Sequence, residues 1–80
     1  MKHYDSTRIA AFKAEVSRIA TFGWVKPAQV EQLNRNLEAI PPAKYTKTMA
    51  AAMDNTVTYK SLQACMIALT VINDRAAKLA

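Results

Sequence analysis

An all-α fold, a compact bundle of about four helices, follows from two observations on these 80 residues. Gly23 is the only glycine, and apolar side chains recur at intervals of three and four, as in Ile9, Phe12, Val16, Ile19 and again in Val30, Leu33, Leu37, Ile40. Glycine is the usual residue of sharp reversals, so a chain with one has few of them, and a three-to-four period is that of an amphipathic helix.

The first helix starts after Asp5 or Ser6, both good caps, and continues to about Phe22, where Gly23 can take the left-handed conformation that ends a helix. Its inward stripe is Ile9, Phe12, Val16, Ile19 and Ala20. The opposite stripe, Ala10, Ala14, Ser17 and Thr21, is small throughout. It either lets another helix approach closely or is an exposed face with nothing large to bury, and the second reading is preferred.

Trp24-Val25-Lys26 forms a short connection, and Pro27 suits the first turn of a second helix because its missing amide proton is not needed there. That helix covers Pro27 to about Ala39 and is stopped by Pro41-Pro42. A third, shorter helix is expected over Pro42 to Met53, with Tyr45, Met49 and Ala52 inward and Asp54-Asn55 breaking it. Thr56 or Thr58 then caps a fourth helix from about Tyr59 to Lys78, the longest.

On a helical wheel the fourth helix places Leu62, Cys65, Met66, Leu69, Ile72, Ala76 and Leu79 on one broad face. Ile67 and Val71 project almost opposite, among Lys60, Asp74 and Lys78. Two apolar faces need two coverings. Either this helix is the central element with neighbours on both sides, which is the preferred reading, or Ile67 and Val71 lie on a surface that binds another chain.

Eighty residues make one helical domain, residues 1–80, and a chain this short hides only about 60% of its unfolded surface. Hydrophobic content of 51% and charged content of 21% with mixed signs are those of a folded domain. The longest uncharged, mostly apolar stretch, Leu62 to Ile72, falls short of the roughly 20 residues that span a bilayer, so no membrane role is expected. The first residues lack an apolar leader and Cys65 is the sole cysteine, so a cytoplasmic setting is the expectation.

The net charge is +5. Residues 1–26 carry Lys2, Arg8, Lys13, Arg18 and Lys26 against Asp5 and Glu15; residues 27–40 carry Arg35 against Glu31 and Glu38. Residues 41–60 carry Lys44, Lys47 and Lys60 against Asp54, and the remainder Arg75 and Lys78 against Asp74. No block of like charge appears. The diffuse positive field attracts acidic partners weakly and in a salt-sensitive way without naming one.

Residues for catalysis are few. His3 is the only histidine and falls in a terminus expected to fray, so a serine or cysteine activated by it would depend on an unfixed base, and Cys65 falls on the apolar face of the fourth helix, where a thiol behaves as a small hydrophobe. Glu31 and Glu38 are separated by about 10 Å along their helix, with Arg35 between them at ion-pair spacings. That reads as a solvated charge ladder rather than an acid–base pair. One glycine excludes a phosphate-cradling glycine loop, and one Cys and one His with scattered carboxylates give no metal-ligand spacing. The expectation is a protein without enzymatic activity, cofactor or metal.

Two binding readings remain. The first two helices and the Gly23 turn have the order of a helix-turn-helix, and Gln29 and Gln32 could read base edges. However, Glu31 and Glu38 against one Arg35 oppose entry into a phosphate-walled groove. A sharper nucleic-acid set is Lys44, Tyr45, Lys47 and Lys60, the lysines neutralising phosphates, Thr46 and Thr48 donating hydrogen bonds, and Tyr45 stacking on a base. Tyr45 also fits the inward stripe.

A protein partner needs only an apolar anchor with a polar surround. Trp24 with Lys26 beside it supplies one, unless the indole folds back as a plug over the first junction. Ile67 and Val71, rimmed by Lys60 and Lys78, supply another, suited to an acidic or mixed surface. In size, alanine content and lack of catalytic motifs the chain resembles the small proteins carried by bacteriophages and other mobile elements, many of which bind and block a host protein, as anti-CRISPR inhibitors do. The resemblance lies in style and not in a motif, so it implies no site residues. The expected function is therefore stoichiometric docking on a partner protein, in the manner of such an inhibitor. The alternatives are a basic nucleic-acid-binding accessory protein and a homodimeric structural protein joined through Ile67 and Val71 or through the small stripe of the first helix.

Overall fold

Helix α1, Ser6–Ala20, begins where the Asp5 carboxylate accepts hydrogen bonds from the backbone N–H groups of Thr7 (2.9 Å) and Arg8 (3.4 Å). The computed structural model describes residues 3–80, so Lys2, counted in the charge above, lies outside the described residues. The helix ends at Ala20, two residues before the expected Phe22. The chain then reverses through Gly23 (φ +80°), whose N–H donates to the Ala20 carbonyl at 2.9 Å. The small stripe of Ala10, Ala14, Ser17 and Thr21 faces solvent.

Helix α2, Pro27–Ala39, has the predicted bounds. The Lys26 backbone N–H donates to Gln29 Oε1 at 2.8 Å, one half of a capping box. Val25, and not Trp24, is the buried plug of this connection. The charge ladder does not form as expected: Arg35 donates to Gln32 Oε1 at 3.0 Å, and the ion pairs found among the described residues involve neither Glu31 nor Glu38.

The expected third helix is corrected at both ends. Pro42–Lys44 form a short 3₁₀ turn and Tyr45 is extended, because Thr46 is the cap: its Oγ1 accepts from Met49 N–H at 3.1 Å and opens helix α3, Lys47–Tyr59. The helix runs straight through Asp54-Asn55. Met49, Ala52, Met53 and Thr56 are buried on one face of it, and Asp54 faces α1, where it pairs with Arg8 Nε at 2.8 Å. That packing outweighs the poor intrinsic helix preference of Asp and Asn. Thr56 is accordingly no cap but a core residue, its hydroxyl 2.9 Å from the Ala52 carbonyl and 3.2 Å from that of Ala64. Lys60 ends α3 in the left-handed conformation (φ 53°), and Ser61 caps α4, Leu62–Leu79, later than the predicted start at Tyr59.

Helix α4 is the longest element and packs between α3 and α2. The contacts α1–α3, α3–α4, α4–α2 and α2–α1 close a ring, the last being the slightest. Short turns make α1/α2 and α3/α4 antiparallel. The pairs Arg8–Asp54 and Arg18–Lys60 run in the same sense, so α1 and α3 are parallel neighbours, as are α2 and α4. The link from α2 to α3 therefore joins opposite corners of the bundle. It is held by buried Ile40, by buried Tyr45, whose hydroxyl donates to the Leu37 carbonyl (3.2 Å), and by Arg75 Nε donating to the Lys44 carbonyl (3.1 Å).

One apolar cluster draws on all four helices, with Phe12, Val16, Ile19, Leu33, Leu37, Met49, Met53, Cys65 and Ile72 at its centre. The radius of gyration, 11.5 Å, equals the value of roughly 12 Å expected for a compact chain of this length. Among the described residues no helix is long and apolar enough to cross a membrane.

Candidate functional site

The turn after α1 builds the most distinctive exposed surface. A glycine at positive φ between Phe22 and Trp24 brings the two rings to the same side, where they stack with centroids 5.3 Å apart and planes inclined by 30°. Both remain open, at 56% and 59% exposure. An exposed aromatic pair of this size is unusual on a chain that has buried its other phenylalanine completely.

Its position is fixed from below. Arg18, one helical turn before Phe22, places its guanidinium carbon 5.7 Å from the Phe22 centroid. The same guanidinium donates from Nε to Glu15 Oε1 at 2.8 Å and from an Nη to the Lys60 carbonyl at 3.1 Å. The Lys26 ammonium folds back to the Gly23 carbonyl at 3.3 Å. One end of the bundle thus carries two stacked rings beside Arg18 and Lys26, with the Lys60 charge felt at neighbouring Glu15. Glu15, the nearest carboxylate, is neutralised in place: its hydrogen bond to Arg18 holds its pKa below the ordinary value, against the opposing effect of burial.

Trp24 and Lys26 are brought together as the sequence suggested, with the indole outward rather than folded over the junction. Ile67 and Val71 lie elsewhere, on the α3–α4 side: Ile67 is 54% exposed and Val71 half-buried. They border a groove of about 220 Å³ lined by Ala52, Asn55, Tyr59, Gln63, Ala64 and Ile67, and a shallower one along Gln63, Met66, Thr70 and Val71. Having α2 and α3 as neighbours does not cover this side of α4.

The nucleic-acid set is not assembled. Tyr45 is buried against Leu37 and meets the Tyr4 ring edge-on at 4.9 Å, so no base can stack on it; burial also pushes its phenol pKa up. Lys47 and Lys60 sit at opposite ends of α3, about 20 Å apart along its axis. Lys60 joins the aromatic end instead.

Sequence reading named Trp24 but passed over Phe22, Arg18 and Tyr59. The signal was present in Phe-Gly-Trp, and in the four-residue spacing from Arg18 to Phe22 that stacks side chains along a helix. A cleft of about 240 Å³ between α2 and α4, with amide side chains among its apolar lining, was also missed. There Gln32 Nε2 donates to Asn36 Oδ1 (2.9 Å) and Asn36 Nδ2 to Asn73 Oδ1 (3.4 Å), a clasp that satisfies the buried Asn36. Cys65 is buried and its thiol pKa is raised, first by desolvation and then by the Glu15 charge. Among the described residues no group of three or more His, Cys, Asp or Glu could hold a metal ion. Comparison with protein families, curated proteins and solved structures finds no significant match to this chain.

Proposed function

We propose that this protein is a small, non-enzymatic docking protein whose Phe22–Trp24 end binds an acidic surface of a partner protein and covers that partner's working site, one copy to one. The observation that carries the reading is the stacked, exposed aromatic pair beside the Arg18 guanidinium and the Lys26 ammonium, at the end of the bundle where the chain turns through Lys60. A rigid aromatic anchor loses little conformational freedom on binding and is the residue class that dominates interface energies. Cations around it favour a partner of opposite sign and discourage binding to basic surfaces. The style of the chain, small and without catalytic motifs, suits an inhibitor carried by a phage or mobile element against a host system.

The test is capture of a partner from host extract, followed by titration of that partner in purified form. Trp24→Ala is expected to weaken binding at least thirtyfold, about 2 kcal/mol, while Arg35→Ala on α2 leaves it unchanged. A Trp24→Ala protein that stays helical and binds with wild-type affinity overturns the reading. Labelled single- and double-stranded DNA at two salt concentrations tests the nucleic-acid alternative, whose binding would fall steeply with added salt.

A further inference from the structure

The outer side of the α3–α4 pair is where the chain's charges are missing. Ala51, Asn55 and Tyr59 from α3, with Gln63, Met66, Ile67 and Thr70 from α4, are all exposed, and none is charged. Tyr59 is 69% exposed and Ile67 54%. Seventeen of 80 residues are charged, so a continuous uncharged strip across two helices departs from the rest of the surface and has the composition of an interface centre. It offers no cation to an acidic partner, unlike the aromatic end.

We propose that this side binds a second copy of the same chain through a two-fold axis near Ile67, with the two α4 helices antiparallel. Two features of the surface are self-complementary in that arrangement. Ile67 is a knob on the border of the 220 Å³ groove floored by Ala52 and Ala64, so a two-fold axis seats each Ile67 in the other copy's groove. The charges that bound the strip, Lys60 and Asp74, lie seven residues before and seven after Ile67 and are of opposite sign. Antiparallel pairing centred on Ile67 sets Asp74 of each copy, about 10 Å from the axis along α4, toward the other copy's α3–α4 turn, which carries Lys60. Within one chain the Asp74 carboxylate pairs with Lys78 at 3.3 Å on the exposed surface.

A stable pair needs about 800 Å² from each copy, less than a quarter of the 4940 Å² that one chain exposes. Two chains of net charge +5 repel one another, and contact through the uncharged side with cross-paired ends is the approach that limits this repulsion.

Sedimentation across a range of concentrations tests the proposal, with far-UV circular dichroism establishing that each variant is folded. The wild-type protein is expected to form dimers that Ile67→Asp converts to monomers. Lys60→Asp alone and Asp74→Lys alone should each weaken dimerisation by about tenfold, whereas the double variant, or an equal mixture of the two single variants, should restore it. A wild-type protein that is monomeric throughout overturns the proposal, as does a dimer indifferent to Ile67→Asp. Charge reversals that weaken dimerisation without mutual rescue reject the antiparallel geometry. Trp24→Ala should leave the dimer intact, so failure of partner capture at the aromatic end and failure of self-association are read separately.

Discussion

Glu15 sits at the meeting point of α1 and the α3–α4 junction with little access to water, and Arg18 balances its charge at hydrogen-bond distance. Because its folded-state pKa is lowered, the unfolded chain binds more protons through the acidic range. The stabilisation is therefore present above the ordinary Glu value of about 4.3 and is lost as pH falls through the lower folded-state value. Thermal unfolding of wild type and Glu15→Gln should differ at neutral pH and converge in acid; a constant difference would show that the carboxylate's charge is irrelevant. Cys65 gives a second residue-scale prediction. Its burial and raised pKa keep the thiolate rare, so a thiol reagent should modify the native protein no faster than it unfolds, and denaturant should make the reaction prompt. Truncating Phe12, fully buried at the centre of the core, to alanine should cost about 3–5 kcal/mol in urea unfolding. The inward faces of such residues were legible in the sequence because apolar spacing reports burial directly. Tyr45 shows the limit: its inward direction was readable, but its hydroxyl, which also suited a base-stacking role, is taken up by the Leu37 carbonyl eight residues earlier.

Among elements, α2 was readable end to end because proline marks both its boundaries and acts through covalent geometry alone. The bounds of α3 were not, since Asp54-Asn55 looks like a break until α1 is seen packed beside it with Arg8 in place. The start of α4 depends on Lys60 adopting a conformation that sequence assigns to glycine or asparagine. Lys60→Gly removes the cost of a side chain in the left-handed region and is expected to stabilise the fold by about 1 kcal/mol. Ser61→Ala, which removes the acceptor for the Ala64 N–H, should destabilise it by a similar amount. Equilibrium denaturation checks both, and equal signs would mean that the α3–α4 turn is not what sets this boundary. The aromatic end was half legible: Trp24 stood out by type, while Phe22 read as the last residue of a helix until Gly23 was seen to turn it alongside.

At the scale of the whole molecule, one chain presents an aromatic end beside Arg18 and Lys26, and a separate uncharged side on α3 and α4. A protein built this way would offer two copies of its anchor at once, and a dimer binding a dimeric partner would gain from the second contact being intramolecular. The ring order has a different consequence, for synthesis. The slightest contact in the ring joins α1 to α2, and the stronger partners of both come from the later half of the chain. A nascent polypeptide that has emerged only as far as Thr46 has little to fold onto and must wait on the ribosome for α3 and α4. Apolar stripes of α1 and α2 stay open to chaperones meanwhile, and a stop codon in the α2–α3 link should yield a product degraded rather than half folded.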